Sequence, residues 1–257
     1  MHLAVCCKGI PEEPRNFSLS PDGSRLSLET DSFILNESDE YALDEAIKWK
    51  KKIGARVTAV TLGGLESQEI LYWALAKGVD DALRIDSSAA SPWEVATLLG
   101  KAIERKEADL VLVGVQSADH MASLVGGLVA ESLGRPFVFA VTSIEITADR
   151  PVVIVQRELG EGRLQRLEIQ LPAVLAVQTG ICPLTYAPPA RRLRARQKAL
   201  EVLDAEQLGF PEEVLMQYRR ERIEEIMPPV VSQSAAMLQG SPQEVAAFIV
   251  DKIRETS

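Results

Sequence analysis

Four short apolar runs, at residues 3–7, 56–62, 82–85 and 109–113, are each followed by a segment whose apolar residues recur at helical spacing. The helical segments are expected over 39–52, 66–77, 92–105 and 123–133. Tyr41, Ala42, Ala46, Ile47 and Trp49 illustrate the spacing in the first of them. Gly78 stands where a helix C-terminus takes a left-handed residue, and Pro92 stands where a helix begins. Strand alternating with helix, on connections this short, predicts right-handed parallel crossovers. The fold class is therefore α/β, with a doubly wound, mostly parallel sheet. Aromatics are only 5% of the chain while Ala, Val, Leu and Ile dominate, which suits buried parallel strands covered by helices. Such sheets bind ligands at the carboxyl ends of their strands, where strand order reverses.

After Pro136 the pattern changes. A core strand is expected over 137–141, then a small antiparallel meander over 143–146, 152–156 and 164–170, then a buried strand over 173–177. Turns fall at Ala148-Asp149-Arg150 and Gly160-Glu161-Gly162. From Thr179 onward the chain no longer reads as a core. It carries Pro183, Pro188 and Pro189, the basic run Arg191, Arg192, Arg194, Arg196 and Lys198, and Pro228-Pro229. A last amphipathic helix is expected over 242–254, with Val245, Phe248, Ile249 and Ile253 as its apolar face. This divides the chain into an α/β domain, 1–178, and an extended C-terminal arm, 179–257, that borrows a core from a partner subunit.

Charge narrows the functional classes. Twenty-eight Lys and Arg against 37 Asp and Glu leave a net charge of −9 in 257 residues, which argues against nucleic-acid binding, since phosphate neutralisation needs a basic face. Charged residues at 25% and apolar residues at 46% exclude disorder throughout. The two histidines and three cysteines show no metal-ligand spacing, so no metal site is expected. Cys6 and Cys7, adjacent in an apolar run, read as small buried hydrophobes in a reducing compartment. No apolar stretch is long enough to span a membrane and the first residues lack a signal-peptide layout, so a cytoplasmic protein is expected.

No dinucleotide fingerprint, P-loop or nucleophile elbow is present, and no nucleophile is spaced with a base. No catalytic residue is assigned. What remains is the set of strand ends at Cys6 to Gly9, Thr61 to Gly64 and Gly114 to Val125. The third leads into a helix, and backbone N–H groups there suit a phosphate. An ordinary connection in which Asp119 or Ser123 caps the helix explains the same residues equally well. His120 reads either as a cation on that phosphate or as an exposed loop histidine. The basic run reads either as a solvated face or as a docking surface.

Taken in order, the segments resemble the β subunit of electron-transfer flavoproteins. Leu3-Ala4-Val5-Cys6-Cys7-Lys8 is similar to the family's L-V-x-V-K start. Leu35-Asn36-Glu37-Ser38-Asp39-Glu40, with Ala42, Glu45 and Ala46, resembles N-P-x-D-E-x-A-x-E-E-A. Ala74-Leu75-Ala76-Lys77-Gly78-Val79-Asp80 matches A-L-A-x-G-A-D, and 109–114 with Gln116 and Asp119 matches D-L-V-L-x-G-x-Q-x-x-D. Val125-Gly126, Ala130-Glu131 and Leu133-Gly134 fit V-G-x-x-A-E-x-L-G. Arg157-Glu158, Leu171-Pro172-Ala173-Val174 and Leu193-Arg194-Ala195-Arg196 complete eight segments in register over most of the chain.

The resemblance implies a Rossmann-like, adenine-nucleotide-binding domain. It also implies a heterodimer with an α subunit that carries FAD and passes electrons between a dehydrogenase and an acceptor such as a membrane quinone oxidoreductase. The β subunit binds AMP in the simple carriers and a second FAD in the electron-bifurcating ones. By position the nucleotide site takes Cys6, Asn36, Glu37, Ser38, Asp39, Leu62, Gly114, Gln116, Asp119, His120, Met121, Ala122, Ser123, Leu124, Val125 and Gly126. Met121, Ala122 and Leu124 replace the second Asp, the hydroxyl or thiol residue and the Gln of the family's D-x-D-[ST/C]-x-Q loop. Glu13 and Ser38 stand where the family places aromatics near the α subunit's flavin. The partner-recognition segment maps to Tyr186, Arg191, Arg192, Arg194 and Arg196, with Pro188 or Pro189 in place of the anchoring leucine. Two other classes compete. A stand-alone adenine-nucleotide module of universal-stress type would end near Val177, and an adenylylating enzyme would need an S-G-G-x-D-S loop where Cys7-Lys8-Gly9-Ile10-Pro11 stands.

Overall fold

The first strand is buried on both faces, and the layering follows from it. Leu3, Val5 and Cys7 pack with one set of helices while Ala4 and Cys6 pack with another, as the two-residue period of a strand requires. The computed structural model describes residues 1–12, 16–21, 26–29, 32–89, 91–147, 150–221, 224–227 and 237–256. In chain order these form β1 (His2–Cys6), β2 (Gly9–Pro11), β3 (Asn16–Leu19), β4 (Leu26–Glu29), β5 (Phe33–Leu35), α1 (Glu37–Ile53) and β6 (Arg56–Leu62). Then come α2 (Gln68–Lys77), β7 (Asp81–Asp86), α3 (Pro92–Arg105), β8 (Leu110–Gly114), α4 (Val125–Leu133) and β9 (Phe137–Ile146). The rest is β10 (Val152–Glu158), β11 (Leu164–Gln170), β12 (Ala173–Val177), α5 (Pro189–Ala195), β13 (Glu201–Asp204), α6 (Glu212–Leu215) and α7 (Pro242–Thr256).

Nine strands make one sheet in the order β11-β10-β9-β12-β8-β1-β6-β7-β13. Every pairing from β9 to β13 is parallel, and β10 runs antiparallel to both neighbours. Helices α1 and α2 cover one face, α3 and α4 the other. The doubly wound sheet and its meander are thus the expected ones. Helix α2 ends at Gly78, whose φ of 126° only glycine adopts without strain. Helix α3 starts at Pro92, and Glu94 reaches back to accept the Ser91 N–H at 3.3 Å.

Three expectations are corrected. Residues 137–141 and 143–146 are one strand, β9, rather than two. Ala140 sits in it at φ 58°, and the register slips against both β12 and β10, so a bulge breaks the alternation that the sequence shows. Helix α4 begins at Val125 rather than Ser123, because Met121 and Ser123 are left-handed (φ 52° and 54°) and cannot continue a right-handed turn. Residues beyond 179 do return to the core. Strand β13 extends the sheet beside β7, and Leu208 and Leu215 are buried against the α3 face. Two short hairpin pairings, β2 with β5 and β3 with β4, lie between β1 and α1. The turn at Ala148-Asp149 and Pro228-Pro229 fall outside the described residues.

Candidate functional site

Strand order reverses between β1 and β8. The chain leaves β1 through α1 toward β6 and β7, then α3 carries it back to β8 on the other side of β1. The ladder between the two ends at Val5 and Leu112, and beyond that the strand ends separate. Into this crevice the start of α1 inserts three polar side chains, Asn36, Ser38 and Asp39, all buried.

Asp39 spans the gap. Its Oδ2 accepts the Lys8 N–H at 2.9 Å and its Oδ1 accepts the Gly114 N–H at 2.8 Å. Burial raises its carboxyl from 3.8 to about 6, although both N–H groups, Asn36 and the Lys8 ammonium oppose that rise. Gly114 admits no side chain here, since a Cβ would lie 2.2 Å from Ser38 Oγ and 2.4 Å from Asp39 Oδ1. Asn36 and Ser38 shape the loop that follows β8. The Asn36 amide donates to Gln116 O at 2.9 Å and accepts the Ala118 N–H at 3.1 Å, and Ser38 Oγ donates to Gln116 O at 2.7 Å. Lys8 Nζ reaches Asp119 at 2.7 Å, Ser117 Oγ at 3.2 Å and His120 Nδ1 at 2.8 Å. Partial burial pushes the Asp119 carboxyl up, but Lys8 and Ser117 outweigh it and hold it below the usual value.

Neither Asp119 nor Ser123 caps α4, so the ordinary capped connection is not what forms. Asp119 is turned to Lys8, Ser123 Oγ donates to Gln116 Oε1 at 3.3 Å, and the N-cap position is Leu124, which makes no side-chain cap. The first turn of α4 thus has no side-chain cap, and the loop before it gathers Lys8, His120, Ser117, Ser123 and the Asp119 carboxylate. The donors of that set suit a phosphate.

The structure brings together Asn36, Ser38, Asp39, Gly114, Gln116, Asp119, His120 and Ser123 from the sequence-based set. Lys8 and Ser117 belong with them; both lie in the strand-end segments read from the sequence, 6–9 and 114–125, but neither was among the site residues expected. Cys6 is buried at the end of β1, and burial, with Asp39 adding, keeps its thiol protonated. Glu37, Met121, Ala122 and Leu124 are exposed. Leu62 lies at the mouth of a separate cavity of about 830 Å³ that also takes Gly63, Asp86, Glu94, Phe210 and Arg219. Val125 opens α4, and Gly126 is a packing glycine, since a Cβ there would meet Val113 Cγ2 at 2.6 Å and the Phe137 ring at 3.3 Å. Ser38 does not face outward as expected, because its hydroxyl is committed to Gln116. Glu13 lies outside the described residues.

The segment expected to recognise a partner is held on α1 and α2. Lys77, fully buried, bridges Glu40 and Asp44 at 2.6 Å each, and Asp44 in turn accepts the Thr185 N–H at 2.9 Å and hydroxyl at 2.5 Å. The Arg192 guanidinium stacks on the Trp73 ring, 3.4 Å from its centre, and Arg196 pairs with Glu69 at 2.7 Å. Those two arginines therefore serve the chain's own packing. Between these tethers Tyr186 (73% exposed) and Leu193 (67%) project outward beside exposed Arg191 and Arg194. No helix among the described residues is long and apolar enough to cross a membrane.

Comparison with known proteins gives the family. A family model described as the electron transfer flavoprotein domain matches residues 26–208. The chain is 31% identical over 226 residues to the electron transfer flavoprotein subunit beta of Bacillus subtilis (strain 168), with 86% of each chain covered. Against the same subunit of Methylophilus methylotrophus it is 30% identical over 261 residues, covering 99% of this chain and 98% of the relative. The Sus scrofa subunit is 30% identical over 215 residues, with 81% of this chain and 83% of the relative covered. With a crevice at the sheet's switch point, a phosphate-suited loop beside it and relatives matched over nearly their whole length, the chain belongs to the electron transfer flavoprotein family, among its beta subunits.

Proposed function

We propose that this chain is the β subunit of an electron-transfer flavoprotein. It pairs with an FAD-carrying α subunit and moves electrons in the cytoplasm between a dehydrogenase and an acceptor, such as a membrane quinone oxidoreductase. The observation that carries the reading is the end-to-end match to beta subunits together with the crevice between β1 and β8. The flavin supplies the electron storage when bound. This chain's own residues orient, bind and dock, and no residue is assigned chemistry on a small substrate.

The crevice is read as the subunit's own nucleotide site, for AMP or a second FAD. The uncapped first turn of α4, Lys8, His120, Ser117 and Ser123 would hold the phosphate, and Asn36, Ser38 and Gln116 would keep the loop in shape. Residues 1–178 are read as the nucleotide-binding domain and 179–257 as the arm that engages the α subunit. In that arm α7 exposes Phe248, Ile249, Val250 and Ile253, an apolar face suited to a partner. Tyr186, Leu193, Arg191 and Arg194 are read as the surface that meets the dehydrogenase, with two apolar anchors ringed by positive charge.

An ultraviolet–visible spectrum and nucleotide extraction of the co-purified complex test the reading. One FAD and one AMP per heterodimer are expected for a simple carrier, and two FAD for a bifurcating one. A complex holding neither nucleotide beyond the α subunit's FAD would remove the nucleotide site from the proposal.

A further inference from the structure

We infer that Asp39 is the positioning residue of the crevice: its ionised carboxylate sets the spacing of the β1 and β8 ends and so holds Lys8 and the 114–120 loop as one receptor for a nucleotide phosphate. The inference rests on the nucleotide-binding reading above. Its basis is geometric. The β1–β8 ladder stops at Val5 and Leu112, and the next link between the two strands is the Asp39 side chain, one oxygen on each. The Lys8 backbone is thereby fixed, and the same residue's ammonium holds Ser117 and Asp119. Gly114 is fixed as well, and it begins the loop that Asn36 and Ser38 shape.

Ionised, the carboxylate offers an acceptor to each N–H; protonated, one oxygen carries a hydrogen and faces an N–H donor. The groups facing Asp39 leave its ionisation near neutrality. From β1 and its end come the buried Cys6 and Cys7 thiols, both pushed up by burial and hence uncharged. From the turn after β1 comes Lys8, and from the start of α1 come Asn36 and Ser38. Asp119 and His120 of the loop act through Lys8. Burial raises its carboxyl to about 6, so near pH 8 it is ionised and accepts both N–H groups.

The test is AMP binding to the full chain by equilibrium dialysis from about pH 5 to pH 8, wild type against Asp39→Asn. Asparagine keeps one acceptor and turns an amide N–H2 onto the other backbone donor. The AMP phosphate itself titrates near 6, so the ratio of the two dissociation constants at each pH is the quantity read. Binding weaker in the variant by about tenfold is expected near pH 8, the worth of one hydrogen bond to a charged group, with the ratio falling toward one near pH 5. A ratio that does not change with pH overturns the inference. Amide exchange at Lys8 and Gly114 in the nucleotide-free chain, corrected for intrinsic rates, is the second readout. Protection should fall in the variant near pH 8, where asparagine cannot accept both N–H groups, while wild-type protection holds toward pH 5. A wild-type chain that binds no AMP defeats the nucleotide reading instead, and exchange then decides Asp39 alone: Gly114 protection equal in variant and wild type near pH 8 overturns its role.

Discussion

The crevice and the recognition segment are both built on α1, yet they are stabilised in opposite ways. At the crevice, polar groups from α1 fill a gap that buried strands leave open: Asn36, Ser38 and Asp39 satisfy backbone groups of β1, β8 and the loop between β8 and α4. At the recognition segment the backbone brings little, and side chains of α1 and α2 supply the hold through Lys77, Asp44, Trp73 and Glu69. The first site is anchored by strand ends; the second is anchored by side-chain tethers and by Ala187 and Ala195 buried in the core.

Breaking Lys77 should hurt most, because two buried or half-buried acids of α1 and, through Asp44, the segment at Thr185 lean on it. Lys77→Met leaves Asp44 and Glu40 without their buried cation, and breaking one half of such a cluster costs about 3–5 kcal/mol. Urea unfolding checks this, and a loss under about 1 kcal/mol would show that the cluster does not join the arm to the core.

Asp39 should impose the next largest effect, and its sign is the reverse of an ordinary surface carboxylate. Its folded value of about 6 lies above the unfolded 3.8. The stability it contributes is therefore fully present below about pH 4 and is lost as pH rises through 6, by about 3 kcal/mol. The pH dependence of unfolding, compared with Asp39→Asn, isolates this slope. An identical slope in both chains would show that the crevice does not hold its carboxylate against desolvation.

Gly114→Ala should cost about 2 kcal/mol, since its Cβ must displace Ser38 Oγ and the Asp39 carboxylate. Thermal unfolding reads the loss, and retained Asn36 and Ser38 contacts in the variant would mean that the crevice yields more than a strand end should. The smallest effect is expected from Thr185→Val, which removes one hydrogen bond to Asp44 and costs about 1.5 kcal/mol. Proteolysis should then cut near Tyr186 while the crevice amides keep their protection. Equal loosening of both regions would erase the contrast between them.

The same contrast explains what was legible in the sequence. Strands β1, β8 and β12 are buried on both faces, so each appears as a nearly unbroken apolar run, while the reversal between β1 and β8 is seen only in the sheet order. Strand β13 reads Glu201-Val202-Leu203-Asp204 and pairs on one side only, so no apolar run announces it. Strand β9 was split because the Ala140 bulge shifts the side-chain alternation by one residue. At the site, Asn36, Asp39 and Gly114 were found through the resemblance. The inward turn of Ser38 and the tethering of Arg192 and Arg196 were not, because they depend on partners distant in sequence.

The central claim is that this chain works as one half of a flavin-bearing heterodimer. Co-expression with an electron-transfer flavoprotein α subunit, followed by gel filtration with absorbance followed at both protein and flavin wavelengths, tests it most directly. A single peak holding both chains in equal amounts with flavin absorbance is expected, and Ile249→Glu on the exposed face of α7 should shift it toward the separate chains. Elution of this chain alone, free of flavin and unaffected by the α subunit, would contradict the claim.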